Sequence, residues 1–126
     1  MFKFVEIHSL PRNCRLHKAA EFSAVITLRY QVTGDLIQVY AKPNGLDCAR
    51  IGLIVPKKIE RRAVKRNWIK RILRETFRKS QHRKSGNDHH MDWVIRLKRT
   101  INKHESIRLI HEVQSLMIEL QQCHDY

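Results

Sequence analysis

Residues Ile59 to Lys79 read IERRAVKRNWIKRILRETFRK, and their spacing decides how the rest of the chain must be arranged. A helix advancing about 100° per residue gathers Ile69, Ile72, Leu73, Thr76 and Phe77 on one side. That stripe needs a core to lie against. The adjoining arc carries Arg66, Lys70 and Arg74 at i, i+4 and i+8, with Asn67, Arg71 and Arg78 beside them. Like charges stacked at this spacing repel by about a few tenths of a kcal/mol per pair, a cost that a polyanion laid along the row removes. Only Glu60 and Glu75 supply acid here, whereas a helix built for solubility interleaves the two signs. A solvated basic face is the alternative reading. Asn67 adds an amide that both donates and accepts, which suits a ribose hydroxyl or a base edge.

The flanks of this helix read as strands. Ala49 to Val55, ARIGLIV, places Arg50, Gly52 and Ile54 on one face and Ile51, Leu53 and Val55 on the other. Pro56 ends the ladder, and Lys57 and Lys58 sit at the mouth of the crossover into the helix. On the far side, residues 80–90 (SQHRKSGNDHH) are polar and glycine-bearing and read as a flexible loop. His82, His89 and His90 raise a metal hypothesis, but no fixed second shell is recognisable around them. Asp92 to Lys98 (DWVIRLK) then returns to the sheet with Trp93, Ile95 and Leu97 on one face.

Nearer the start, Met1 to Asn13 is a loosely held lead-in, and Arg15 to Leu28 is a short, unusually apolar amphipathic helix. Phe22 and Ile26 lie one turn apart on it and face either the core or a groove beside a ligand. Thr33-Gly34-Asp35 is a turn, Leu36 to Lys42 a strand, and Pro43-Asn44-Gly45 a tight connection. The chain closes with a covering helix from Ile101 to Gln122, apolar at Ile107, Leu109, Ile110, Val113, Leu116, Met117 and Leu120. The expected fold is α+β: one domain over residues 1–126, an α/β sandwich with an about four-stranded mixed sheet. Its order is α-β-β-(β)-α-β-α, with the basic helix as crossover, right-handed by base rate.

Twenty-five Lys and Arg against twelve Asp and Glu give a formal charge of +13 and a pI near 10.2. That imbalance destabilises an isolated compact chain, and a nucleic acid partner explains why it is tolerated. No amphipathic segment pairs a basic face with exposed Trp, Phe or Leu as an interfacial helix would, and no apolar run is long enough to span a bilayer. Three cysteines, Cys14, Cys48 and Cys123, make neither a disulfide framework nor a zinc ribbon and fit a reducing cytoplasm. The chain carries no Gly-rich phosphate loop, no His-Glu-x-x-His and no Gly-x-Ser-x-Gly. Its acids are scattered, and His17 and His111 are lone candidates for a general base. Nothing in the sequence marks a small-molecule substrate or a catalytic centre of the chain's own.

Arg50 to Arg78, RIGLIVPKKIERRAVKRNWIKRILRETFR, resembles the signature of the bacterial ribonuclease P protein subunit. In that pattern a strand ending in a Lys-Lys pair leads to an Arg-Asn-Arg core and an Arg-Glu step closing on Phe-Arg. More weakly, Arg15-Leu16, Glu21-Phe22, Tyr40 and DWVIRLK resemble other parts of the family, and the likeness covers roughly residues 12–120. Trp68 stands where the family usually has Arg; it stacks on a base or ribose, or packs on Val64 or the loop beneath. The resemblance implies a ribosomal protein S5 domain 2-like fold with a left-handed crossover, against the base rate. It also implies a cytoplasmic partner of the ribonuclease P catalytic RNA, which with Mg²⁺ removes the 5′ leader of precursor tRNA. Carried over residue by residue, Arg66, Asn67, Lys70, Arg71 and Arg74 meet the catalytic RNA with Lys57 and Lys58 close by, and Trp68 is a candidate contact among them to which that of the family Arg does not carry over. Lys18, Phe22, Ile26 and Tyr40 line the leader cleft. A ribosomal or other structural RNA-binding protein, and a protein-only nuclease using His17 or His111, are the rival readings.

Overall fold

Period-two alternation of apolar side chains builds four strands: β1 (Gln31–Thr33), β2 (Ile37–Pro43), β3 (Arg50–Ile54) and β4 (Met91–Leu97). They belong to a computed structural model that describes residues 14–28, 30–46, 48–82 and 90–124. The strands form one mixed sheet in the order β1-β2-β4-β3. β2 is antiparallel to β1 and β4, and β3 is parallel to β4, with Gly52 and Tyr40 flanking Val94 from either side. Parallel neighbours cannot be joined by a hairpin, so a crossover must link β3 to β4. That crossover is the basic helix, α2 (Ala63–His82). α1 (Ala19–Thr27) precedes the sheet, and α3 (Ser106–His124) follows a 3₁₀ turn at Lys103–Glu105. The optional strand of the expected order is the short β1.

Both faces of the sheet are covered. Met91, Trp93, Ile95 and Leu97 of β4 pack with Ile37, Val39 and Ala41 of β2 against Ile69, Leu73 and Phe77 of α2 and Leu109, Val113 and Leu120 of α3. Fully burying a side chain of this size contributes about 1.5–3 kcal/mol, so the three α2 anchors fix that helix's rotation and hold its basic arc outward. Val94 and Tyr40 point the opposite way, into a smaller core with Leu16 and Val25 beneath α1. Glu112 of α3 ties that helix to the β1–β2 turn by accepting hydrogen bonds from the Leu36 and Ile37 amides at 2.7 and 2.9 Å.

The helix expected from Arg15 begins instead at Ala19. Glu21 Oε1 accepts from the His17 and Lys18 amides at 2.8 and 3.0 Å, which satisfies the open donors ahead of the first turn and ends the helix there. Arg15 and Leu16 are extended, Arg15 bridging to Ile51 and the Leu16 amide donating to the Ile51 carbonyl at 2.8 Å. α2 likewise starts four positions after Ile59, because the Pro56 carbonyl accepts from the Ile59 and Glu60 amides and makes a turn. At its other end α2 runs on through residues 80–82, which were expected in the loop. Ile107, expected in the core, is 65% exposed on the first turn of α3. The rest of the 80–90 loop up to His89, and the lead-in 1–13, lie outside the described residues. Cys14 and Cys48 are free thiols side by side, Sγ to Sγ 3.1 Å.

Candidate nucleic-acid interface

On α2 the core stripe fell where its period placed it: Ile69, Leu73, Thr76 and Phe77 are buried. Asn67 and Arg71 are exposed, Arg66, Lys70 and Arg74 are half-buried beside the core, and Lys57 and Lys58 stand exposed on the preceding turn. Arg66 has structural duties, since its guanidinium donates to the Glu60 and Arg61 carbonyls at 3.0 and 2.8 Å. Arg78 is paired with Glu75 at 2.6 Å. Burial, and after it the Arg15 charge, pull the Arg74 guanidinium below its ordinary value. A guanidinium held beside a second cation in this way marks a place where an anion is welcome. Trp68 packs half-buried against the large core and also borders a cavity of about 420 Å³.

The second candidate group gathers under α1. Phe22 and Ile26 are half-buried against the smaller core, Lys18 is exposed at the helix N-cap, and Tyr40 lies beneath them, only 6% exposed. Tyr40 therefore forms the floor of this site and Phe22 and Ile26 its accessible wall. Gly52 sets the depth: a Cβ there would stand 2.4 Å from Phe22 Cε2 and 3.1 Å from Leu16 Cδ1, so only glycine lets the ring settle on β3.

The two groups, separate in sequence, adjoin in space. A cavity of about 180 Å³ is lined by Phe22 and Gly52 together with Lys70 and Arg74, and by Arg15, Leu16 and His17. No local pattern of residues points to the device that holds α1 in place. Arg50 binds Asp92 in a fork, Nε to Oδ1 2.8 Å and the second nitrogen to Oδ2 2.7 Å, and reaches Glu21 at 3.2 Å. Asp92 is buried, and Arg50 raises no signal of its own until the β3–β4 register sets it opposite Asp92.

His17 and His111 lie on segments that cover opposite faces of the sheet, so they cannot serve one reaction centre together. Among the described residues no three His, Cys, Asp or Glu side chains group to hold a metal ion. Asp92, Glu60 and Glu112 are engaged with Arg50, Thr100 and backbone amides respectively, so these carboxylates do not fit a Mg²⁺ cluster. No described helix is long and apolar enough to cross a membrane.

A family model described as Ribonuclease P matches residues 10–121. The ribonuclease P protein component of Chromobacterium violaceum is 43% identical over 109 residues, covering 86% of this chain and 87% of its own. That of Nitrosomonas eutropha is 43% identical over 113 residues, covering 88% and 90%. Among solved structures, a mutant RNase P protein of Staphylococcus aureus superposes with a TM-score of 0.64 at 23% identity, over 89% of this chain and 88% of that one. The RNase P protein of Thermotoga maritima gives 0.61 at 23% identity, over 85% and 94%. The four-stranded mixed sheet with its three helices is their fold. By sequence and by fold, the chain belongs to the ribonuclease P protein family.

Proposed function

We propose that this chain binds the ribonuclease P RNA along α2 and the 5′ leader of precursor tRNA across the face between α1 and the sheet. In this reading it is the cytoplasmic protein subunit of a ribonucleoprotein that trims tRNA, and the RNA with its Mg²⁺ supplies the bond-breaking chemistry. Lys57, Lys58, Asn67, Lys70, Arg71 and Arg74 meet the catalytic RNA, with Arg66 bracing the start of the helix and offering its remaining donors. Phe22 and Ile26, over Tyr40 and beside Lys18, take the leader. The observation that carries the proposal is the shared cavity, where the cations of α2 meet an aromatic ring seated on glycine. Single strands are held by such a pairing of a positive groove with an aromatic platform, with little sequence preference.

The test is reconstitution. The purified chain is added to a bacterial ribonuclease P RNA at low Mg²⁺, and leader removal is followed with precursor tRNA. Stimulated cleavage, with tighter binding of precursor than of mature tRNA, is the expected result. A chain that binds the RNA without stimulating cleavage would be a structural RNA-binding protein instead. Cleavage by the chain with no RNA subunit would return the chemistry to the amino acids.

A further inference from the structure

A second cavity, of about 420 Å³, opens at the other end of the α2 basic face. One wall is the first two turns of α2, with Trp68 and with Val64, which is 83% exposed. The other is the loop that leads into α3, at Asn102 and Lys103. A single buried carboxylate locks the two walls together. Glu60 accepts the Thr100 hydroxyl, accepts the Arg62 amide at 3.0 Å, and pairs with the Lys65 ammonium at 3.4 Å. The walls therefore keep their spacing in the free chain, and the hollow lies within the about 300–1,000 Å³ range of small-ligand sites.

The lining suits one kind of occupant. The Trp68 indole and Val64 together offer an apolar, flat-sided surface inside the hollow. Around them stand Arg62 and Lys103, with Lys65 held beside Glu60, and no acid is among the described residues that line the hollow. Asn102 Oδ1 already accepts the His104 amide, so its side-chain NH₂ is what it can offer a ligand. A planar aromatic group carrying anionic charge satisfies all of these features together: the ring stacks, the cations take the phosphate, and the amide reads a ring edge.

We propose that this hollow receives one unpaired, extruded nucleotide of the RNA that lies on α2, its base stacked on Trp68. The assignment rests on the reading of α2 as an RNA-binding helix. It adds that the contact at Trp68 is stacking and salt-insensitive, unlike the phosphate contacts of Lys70 and Arg74.

The experiment uses a bacterial ribonuclease P RNA and tryptophan fluorescence. The chain has two tryptophans, and Trp93 is 1% exposed in the core. In Trp93→Phe, or in the wild type with Trp68→Phe subtracted should that variant be unstable, saturating RNA should quench Trp68 emission. Loss of one stacked base weakens RNA binding about 5- to 150-fold, and Trp68→Ala should fall in that range with its log-log salt slope unchanged. Trp68→Phe should stay within about threefold. Val64→Glu, a surface change that leaves folding intact, should weaken binding at least about tenfold by placing an acid at the mouth. Unquenched emission in the saturated complex, or wild-type affinity in both Trp68→Ala and Val64→Glu, would overturn the pocket while leaving the phosphate row standing. A wild-type chain that binds no ribonuclease P RNA would remove the RNA reading of α2, and the pocket with it.

Discussion

Replacing Gly52 by alanine pushes one methyl group into the seat of the Phe22 ring. The new Cβ would lie 2.4 Å from Cε2 and 2.6 Å from Cζ, where ordinary contact begins near 3.4 Å, so the ring must retreat by about 1 Å. Leu16 Cδ1, at 3.1 Å, narrows the ways in which it can do so. Overfilling a packed site costs about 1–3 kcal/mol, and at this chain length each kcal/mol lowers the melting temperature by about 3–5 °C. Urea unfolding of Gly52→Ala should show that loss. The displaced ring should also weaken binding of leader-bearing precursor tRNA while leaving mature tRNA and the salt slope for the catalytic RNA unchanged.

A double-mutant cycle isolates the cause. In a Phe22→Ala background the ring is gone and the methyl has room, so Gly52→Ala should cost less than about 0.5 kcal/mol and the coupling should reach at least about 1 kcal/mol. If Gly52→Ala costs the same in both backgrounds, the glycine serves the backbone of β3 and not the ring, and the account of the cleft floor fails. No cost in the wild type would show that the ring does not rest there at all.

Lys70→Ala should weaken binding to the catalytic RNA and flatten its log-log salt dependence by about 0.7–0.9 of a unit, checked by titration at several salt concentrations; an unchanged slope means that this ammonium touches no phosphate. The Thr100 hydroxyl, the Arg62 amide and Lys65 hold the Glu60 carboxyl down to about 2 from its ordinary 4.5. A depressed carboxyl stabilises the fold above its unfolded value and loses that contribution as pH falls. The stability gap between wild type and Glu60→Gln should therefore close between pH 4.5 and about 2 in acid titrations, and a gap constant over that window would contradict it. Burial and the neighbouring Cys48 push the Cys14 thiol up to about 11, so alkylation of Cys14 should stay slow at neutral pH and accelerate toward that value, as mass spectrometry of iodoacetamide-treated protein can follow. Sulfate should raise the melting temperature of the wild type more than that of Arg74→Ala, because an anion binding only the folded form near Arg15 and Arg74 stabilises it by mass action; equal shifts would place the anion elsewhere.

Local periodicity carried most of the fold. Ile69, Leu73 and Phe77 repeat at helical spacing and Trp93, Ile95 and Leu97 alternate, so both elements could be found from neighbours a few residues apart. What stayed hidden depends on pairs far apart in the chain. Arg50 and Asp92 are partners across the β3–β4 register, Glu60 and Thr100 close the cavity beside Trp68, and Glu112 reaches back to Leu36. No local pattern announces such partners, because a carboxylate aimed inward has the same letter as one in solvent. Helix boundaries slipped for the same reason: Glu21 fixes the start of α1 through the His17 and Lys18 amides, a choice that the apolar run Leu16 to Leu28 does not contain. The third strand ahead of the basic helix could be allowed for but not located, because the three residues of β1, with exposed ends, are too short a run to show alternation.

The way the acids are used explains why a charge of +13 acts as a directed field. Asp92, Glu21, Glu60 and Glu112 are engaged with the partners named above, and Glu105 with Arg99 at 2.8 Å, contacts that hold α1, the α2 turn and α3 in place. Their negative charge is taken up locally, by a cation for Asp92, Glu21, Glu60 and Glu105 and by two backbone amides for Glu112. Beside the arc of Lys70, Arg71 and Arg74 the α2 acid Glu75 is paired with Arg78, and Arg15 is brought to Arg74 by the same backbone bridge that covers the β3 edge. Covering that edge protects the strand from pairing with another chain. Doing so with the segment that leads into α1 also carries a cation, and then Phe22, to the flank of α2. One structural solution, closing an exposed edge, thus assembles the positive groove and the aromatic platform side by side. For this reason the two proposed RNA-binding surfaces share β3 as a common wall, with Ile51, Gly52 and Leu53 lining the cavity between them.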